Sequence, residues 1–125
     1  MAGGFPTTTM NTFLDAEITG ALWIALWTVA PSIEGVGGTE VSEASYGRIS
    51  HSSWNAAAAK SKTNNGEIDF GDPLTDWGTI VAVTAMTLET GGVQKALSDT
   101  LNKPVVTADD KVYIPDAGLV FSTGQ

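Results

Sequence analysis

The stretch Ala21–Ala30, ALWIALWTVA, is the longest apolar run in the chain, and its reading decides the fold class. It is too short to cross a bilayer as a helix, which takes about 20 apolar residues. Read as a strand, it sets Leu22, Ile24 and Leu26 on one face and Trp23, Ala25, Trp27 and Val29 on the other. Neither face is polar, so both must be covered, and two tryptophans on one side bury a large area there. The covers expected are the N-terminal helix on one side and a second sheet or another subunit on the other. A second run, Ile80–Leu88, follows Trp77-Gly78-Thr79 and has the same apolar character on both faces. Together they predict a central sheet whose core holds Leu22, Trp23, Ile24, Leu26, Trp27, Trp77, Ile80, Val81 and Val83.

Towards the N-terminus, Thr7, Thr8 and Thr9 offer N-cap oxygens, and Met10, Phe13, Leu14 and Ile18 then recur at helical spacing. Gly20 is placed to end that helix. The stripe suits packing on the domain's own core. Its other reading is a contact with a neighbouring subunit, which makes Phe5, Met10, Phe13 and Leu14 candidate partner contacts.

Towards the C-terminus, Pro31–Glu40 reads as a Gly-rich surface loop, and Val41–Ser52 has Tyr46 and Ile49 as buried points with Arg48 an isolated basic residue. In Ser53–Gly66, Ala56–Ala59 favours a helical turn while Ser61–Gly66 (SKTNNG) resembles an exposed turn before a strand. Glu67–Gly71 alternates, with Ile68 and Phe70 inward, and Glu89-Thr90-Gly91-Gly92 is a hairpin turn before Val93–Leu97. Turns at Asn102-Lys103-Pro104 and Ala108-Asp109-Asp110 separate closing strands around Val105-Val106, Val112, Ile114 and Leu119–Phe121. The expectation is a mainly β fold with one short N-terminal helix. About seven or eight short strands would form an antiparallel β-sandwich or a jelly-roll-like barrel. One domain spans residues 1–125, with a helical segment over 1–20 and a β body over 21–125.

The chain carries 6 basic against 14 acidic residues, a net charge of −8. Nucleic acid and anionic membrane surfaces are poor partners for it, since both require clustered basic residues. With no cysteine, thiol catalysis, disulfides and thiolate metal sites are excluded. The first residues, MAGGFPTTTM, lack the basic start and apolar run of a secretion signal.

No catalytic constellation emerges. His51 is the only histidine, and although Ser50, Ser52 and Ser53 flank it, no nucleophile-elbow spacing is present. Glu67, Asp69, Asp72 and Asp76, or Asp109 with Asp110, offer carboxylates in turn-forming contexts, without the spacing of a calcium loop. Gly35, Gly37 and Gly38, and Gly91 with Gly92, lack the lysine and helix of a phosphate cradle. Of the four tryptophans, Trp54 sits in a polar stretch and is the one expected at a surface contact. No catalytic, metal or cofactor-binding residue is assigned, and no cofactor is expected.

Taken in order, the motifs resemble a known family. They run from Leu22–Pro31 (LWIALWTVAP) through Thr39–Ser42 (TEVS), Tyr46–Arg48 (YGR), Glu67–Phe70 (EIDF) and Trp77–Ile80 (WGTI) to Val105–Asp110 (VVTADD) and Ala117–Phe121 (AGLVF). This is similar to small phage and prophage virion proteins, often labelled tail fibre or minor structural proteins. The sequence departs from their pattern where Glu43-Ala44-Ser45 replaces glycines, where Asp109-Asp110 replaces Gly-Asp, and over Thr84–Thr87. The resemblance implies a non-enzymatic virion component, assembled in a bacterial host cytoplasm.

Small size, acidity and an N-terminal segment able to reach a neighbour point to a capsid decoration protein, bound as a homo-oligomer (a trimer among the expected forms) to the major capsid protein. The alternative is a tail, tail-fibre or baseplate-associated protein joined to other tail proteins. A carbohydrate-binding module at the host surface, using Trp54, is the third reading.

Overall fold

The computed structural model describes residues 7–32, 34–43, 46–59, 61–71, 73–98, 105–106 and 112–122. Its order begins with helix α1 (Thr7–Glu17) and strand β1 (Leu22–Val29). Then come β2 (Thr39–Glu40), β3 (Ile49–His51), β4 (Ser61–Thr63), β5 (Ile68–Gly71), β6 (Gly78–Thr79) and β7 (Ala82–Met86). The series closes with β8 (Gln94–Ser98), β9 (Val105–Val106), β10 (Val112–Ile114) and β11 (Val120–Ser122). The fold is mainly β and antiparallel throughout, in a sandwich-like arrangement of one larger sheet and three short ladders. The strands are more numerous and shorter than expected, because several segments read as single strands pair over only two or three residues.

The large sheet has β1 at its centre. β7 pairs along one edge, with Trp23 opposite Met86 and Trp27 opposite Ala82, and β8 adds outside β7. The other edge of β1 is shared: β2 pairs with its C-terminal half and β3 with its N-terminal half. The two apolar runs are therefore neighbours, and all five residues of β7 are buried. β1 ends where Pro31, which has no N–H to donate, follows Ala30. The loop back to β2 passes so close to this corner that a Cβ on Gly38 would lie 2.7 Å from the Pro31 nitrogen. Only glycine fits there.

Leu22, Ile24 and Leu26 point into the core, with Val83 and Ala85 beside them. The ladders supply the opposing layer: Ile68 and Phe70 from β5, Val112 and Ile114 from β10, and Phe121 from β11 with Leu119 before it. In β5 and β10 the alternation is clean, since Asp69 and Tyr113 face outward between buried neighbours. Each fully buried Leu, Ile or Phe contributes about 1.5–3 kcal/mol.

The opposite face of the sheet differs from the expectation. Ala25, Ala82, Thr84 and Met86 are buried there, but Trp23 and Trp27 are only half-buried, as is Val81, which lies between strands. The Trp27 indole N–H donates to Thr84 Oγ1 at 2.8 Å, so the ring is tied to its own sheet.

Helix α1 packs mainly against β4. Leu14 and Ile18 reach the core, and Gly20, at φ +67°, turns the chain into β1. In Ser53–Gly66 the helical turn is absent, and the expected turn before a strand is confined to Asn65-Gly66, where Gly66 has φ 89° ahead of β5. Residues 56–59 are not helical, Ala59 has a left-handed φ of 52°, and Ser61–Thr63 is a strand paired with β11. Lys62 is buried, and Asn64 is fully buried. The Asn64 amide donates to the carbonyls of Gly66 and Pro115, while its Oδ1 accepts from the Leu119 N–H. A side chain read as part of an exposed turn instead pins the last strand to the body. The turns expected at Asn102–Pro104 and Ala108–Asp110 lie outside the described residues.

Candidate functional site

The most concentrated polar chemistry lies where the chain leaves β2 and returns as β3. Opposite that detour β1 advances only from Trp27 to Ile24; Val41 still donates to the Leu26 carbonyl at 3.0 Å, and the chain then leaves the edge until Ile49 pairs with Ile24. Tyr46 brings it back. Its ring stacks on Phe70 at 6.4 Å and meets Trp77 edge-on at 5.4 Å, and its hydroxyl reaches the sheet edge. There it accepts from the Leu26 N–H at 3.0 Å, standing where a strand carbonyl would, and donates to Glu40 Oε2 at 2.6 Å.

Arg48 completes the cluster. Its Nε and Nη2 clasp the two oxygens of Glu40 at 2.9 Å each, a bidentate pair. Its Nη1 donates to the carbonyls of Leu88 and Gly91 at 2.9 and 2.8 Å. One guanidinium therefore joins β2, the detour and the β7–β8 turn. The expectation of an isolated Arg48 is corrected: its side chain is only 8% exposed and is bound on three sides. What marked it in the sequence is that it is the sole arginine, two residues after a tyrosine.

Burial first, and then the Glu40 carboxylate, push the Tyr46 hydroxyl well above its ordinary range, so it is a neutral hydrogen-bonding group and not a base. The Glu40 hydrogen bonds raise the already strong basicity of Arg48. These groups line an open depression of about 420 Å³ whose rim carries Glu43, Glu89 and Thr90. Because Glu40, Tyr46 and Arg48 bind one another, the depression has a braced polar floor without an activated nucleophile.

The other sequence candidates are dispersed. Phe5 lies outside the described residues. Met10 is half-buried, Phe13 is 54% exposed on the outer side of α1, and Leu14 is buried within its own chain. Trp54 is half-buried, donates from its indole to the Gly20 carbonyl at 3.1 Å, and packs beside His51 and Phe121. It serves as part of the scaffold behind the α1–β1 junction. His51 meets Trp54 edge-on, and its buried Nε2 has no hydrogen-bond partner. Asp69 receives the Gly71 N–H at 2.8 Å, an ordinary turn contact. Asp72, Asp109 and Asp110 lie outside the described residues. Among the described residues no group of His, Asp and Glu is placed to hold a metal ion, and no helix is long and apolar enough to cross a membrane.

The family model described as Podophage GP4 fiber I protein gp80 matches residues 7–122, from the first turn of α1 to the last residue of β11. The chain belongs to this phage fibre family. The membership places the fibre-family chain among virion structural proteins that associate with other virion components. No curated protein and no solved structure matches the fibre-family chain.

Proposed function

We propose that this chain is a non-enzymatic structural subunit of a phage tail-fibre assembly, joined to other tail proteins and to copies of itself. The observation that carries this reading is the fibre-family match over nearly the whole chain. The geometry supports it: the densest polar cluster among the described residues is consumed in bracing loops, while large aliphatic side chains stand exposed on turns and at the end of β1. Val36 is 71% exposed, Leu74 76% and Val93 65%, with Leu88 and Val29 at 56%. Exposed aliphatics on braced turns suit contact with other proteins.

The family match favours the tail alternative over the capsid decoration expected from size and acidity. The decoration reading also leaned on an N-terminal segment reaching outward, and α1 is docked on its own body. The sugar-binding reading leaned on an exposed Trp54, which is half-buried beside His51 and Phe121 and donates its indole N–H to the Gly20 carbonyl.

Quantitative mass spectrometry of purified particles, with antibody labelling under the electron microscope, tests the proposal. A copy number from a few to dozens, with label on the tail, is expected. Hundreds of copies spread over the head would reject it.

A further inference from the structure

Helix α1 is poorly made to stand alone. Eleven residues are marginal for an isolated helix, and four of them are threonine, whose branched side chain disfavours helix. Its only charged residues, Asp15 and Glu17, lie in the last turn, where the helix dipole opposes negative charge. Both are tolerated there because each meets a lysine from the body. Asp15 Oδ1 accepts from Lys62 Nζ of β4 at 2.7 Å and from the Ala57 N–H at 2.8 Å. Glu17 Oε1 accepts from Lys95 Nζ of β8 at 2.8 Å.

The first pair is asymmetric. The Lys62 side chain is 7% exposed, whereas that of Asp15 is 46% exposed. Water can take back the carboxylate, but the ammonium depends on its partner, and a buried charge that loses its partner is strongly destabilising. Apolar docking by α1 is slight, since Leu14 is its only buried residue, with Ile18 just beyond its end. The hinge to β1 is made of exposed Thr19, Gly20 and Ala21.

We propose that α1 is a separable latch, closed on the β body by two carboxylate–lysine contacts and opened by neutralising those carboxylates while the body stays folded. The Lys62 hydrogen bond, and then that of Ala57, hold the Asp15 carboxyl below its ordinary value of 3.8. A carboxylate stabilised in the fold contributes fully above its ordinary value and loses that contribution as pH falls through the lowered one. Acid opening therefore belongs below pH 3.8. The groups facing the latch carboxylates are Lys62 and Lys95. His51 is a further titratable group nearby, edge-on to the Trp54 that holds Gly20. Neutralising substitutions on α1 leave His51 untouched and so separate its influence.

Hydrogen exchange of the full chain, corrected for intrinsic rates, tests this. At neutral pH, Asp15→Asn with Glu17→Gln should speed exchange in residues 7–17 by about tenfold or more, leaving 22–29 and 82–86 protected. The native chain should show the same selective loss as pH is stepped down below 3.8 and the Asp15 carboxylate is neutralised. Lys62→Met, which removes the buried charge, should keep α1 protected under that acid condition. The proposal is overturned if α1 and β1 lose protection together, or if neither acid nor the double variant affects α1. It is also overturned if folded Lys62→Met opens in acid as the native chain does. Should Lys62→Met fail to fold, the comparison of acid with the double variant decides.

Discussion

Tyr46 shows how one side chain substitutes for missing backbone. Its hydroxyl fills a gap in the ladder beside Leu26 while holding Glu40 in position for Arg48. Tyr46→Phe leaves the Leu26 N–H and one Glu40 contact unpaired and should cost about 1–3 kcal/mol, read from urea unfolding. The same residue gives the protein an alkaline limit. In the unfolded chain Tyr46 ionises near its ordinary value of 10.0, whereas the folded site holds the proton far longer. Above that pH the unfolded state binds fewer protons, so stability falls as pH rises. Tyr46→Phe should flatten this slope, and an unchanged alkaline unfolding curve would remove the burial argument. Tyr46 was legible as an inward point because it is aromatic, and it is partly buried against the core; its partners were not legible. Arg48, Glu40, Lys62 and Asn64 are polar residues in loop-like sequence, and their burial depends on distant segments folding over them. Asn64, for instance, is satisfied by Pro115 and Leu119, some 51 and 55 residues away.

Strand pairing followed the apolar pattern closely where both faces of a strand are covered. β1 and β7 are adjacent, the β7–β8 turn falls around Glu89–Gly92, and Gly20 ends the α1 region. Hydrophobic alternation reports which segments leave water, so these features were visible. How deeply each ring sinks is a matter of the opposing layer, and the tryptophans divide on that point. Trp77 is 3% exposed in the core cluster, while Trp27 is half-buried on the far face. Trp77→Ala should therefore cost about 3–5 kcal/mol. Trp27→Ala should cost less, about 1–3 kcal/mol, from partial burial and the Thr84 hydrogen bond. Equal shifts in thermal midpoint would mean that something else covers the Trp27 face. Val105-Val106 was read as a short strand and is one, but the strand over Ser61–Thr63 was harder to read, because three residues carry too little periodicity to declare a face.

The molecule combines a strongly acidic charge with aliphatic side chains on its turns. At pH 7 the net charge of −8 keeps copies apart, and near the pI of 4.2 that repulsion vanishes. Light scattering should rise sharply around pH 4.2 and clear on return to neutral pH. Flat scattering through that range would show that the exposed Val36, Leu88 and Val93 contribute little to self-association.

One side of the main sheet ends in two fragments, β2 and β3, separated by a detour in which Tyr46 and Arg48 brace the chain. An incoming strand needs an unbroken row of amides and carbonyls to zip against, and this border offers two short lengths interrupted by a braced excursion. Newly made copies crowded together in an infected cell are thus denied a template for indiscriminate sheet extension along that border. Contact along that border is left to side-chain surfaces, which can discriminate the right neighbour from the wrong one.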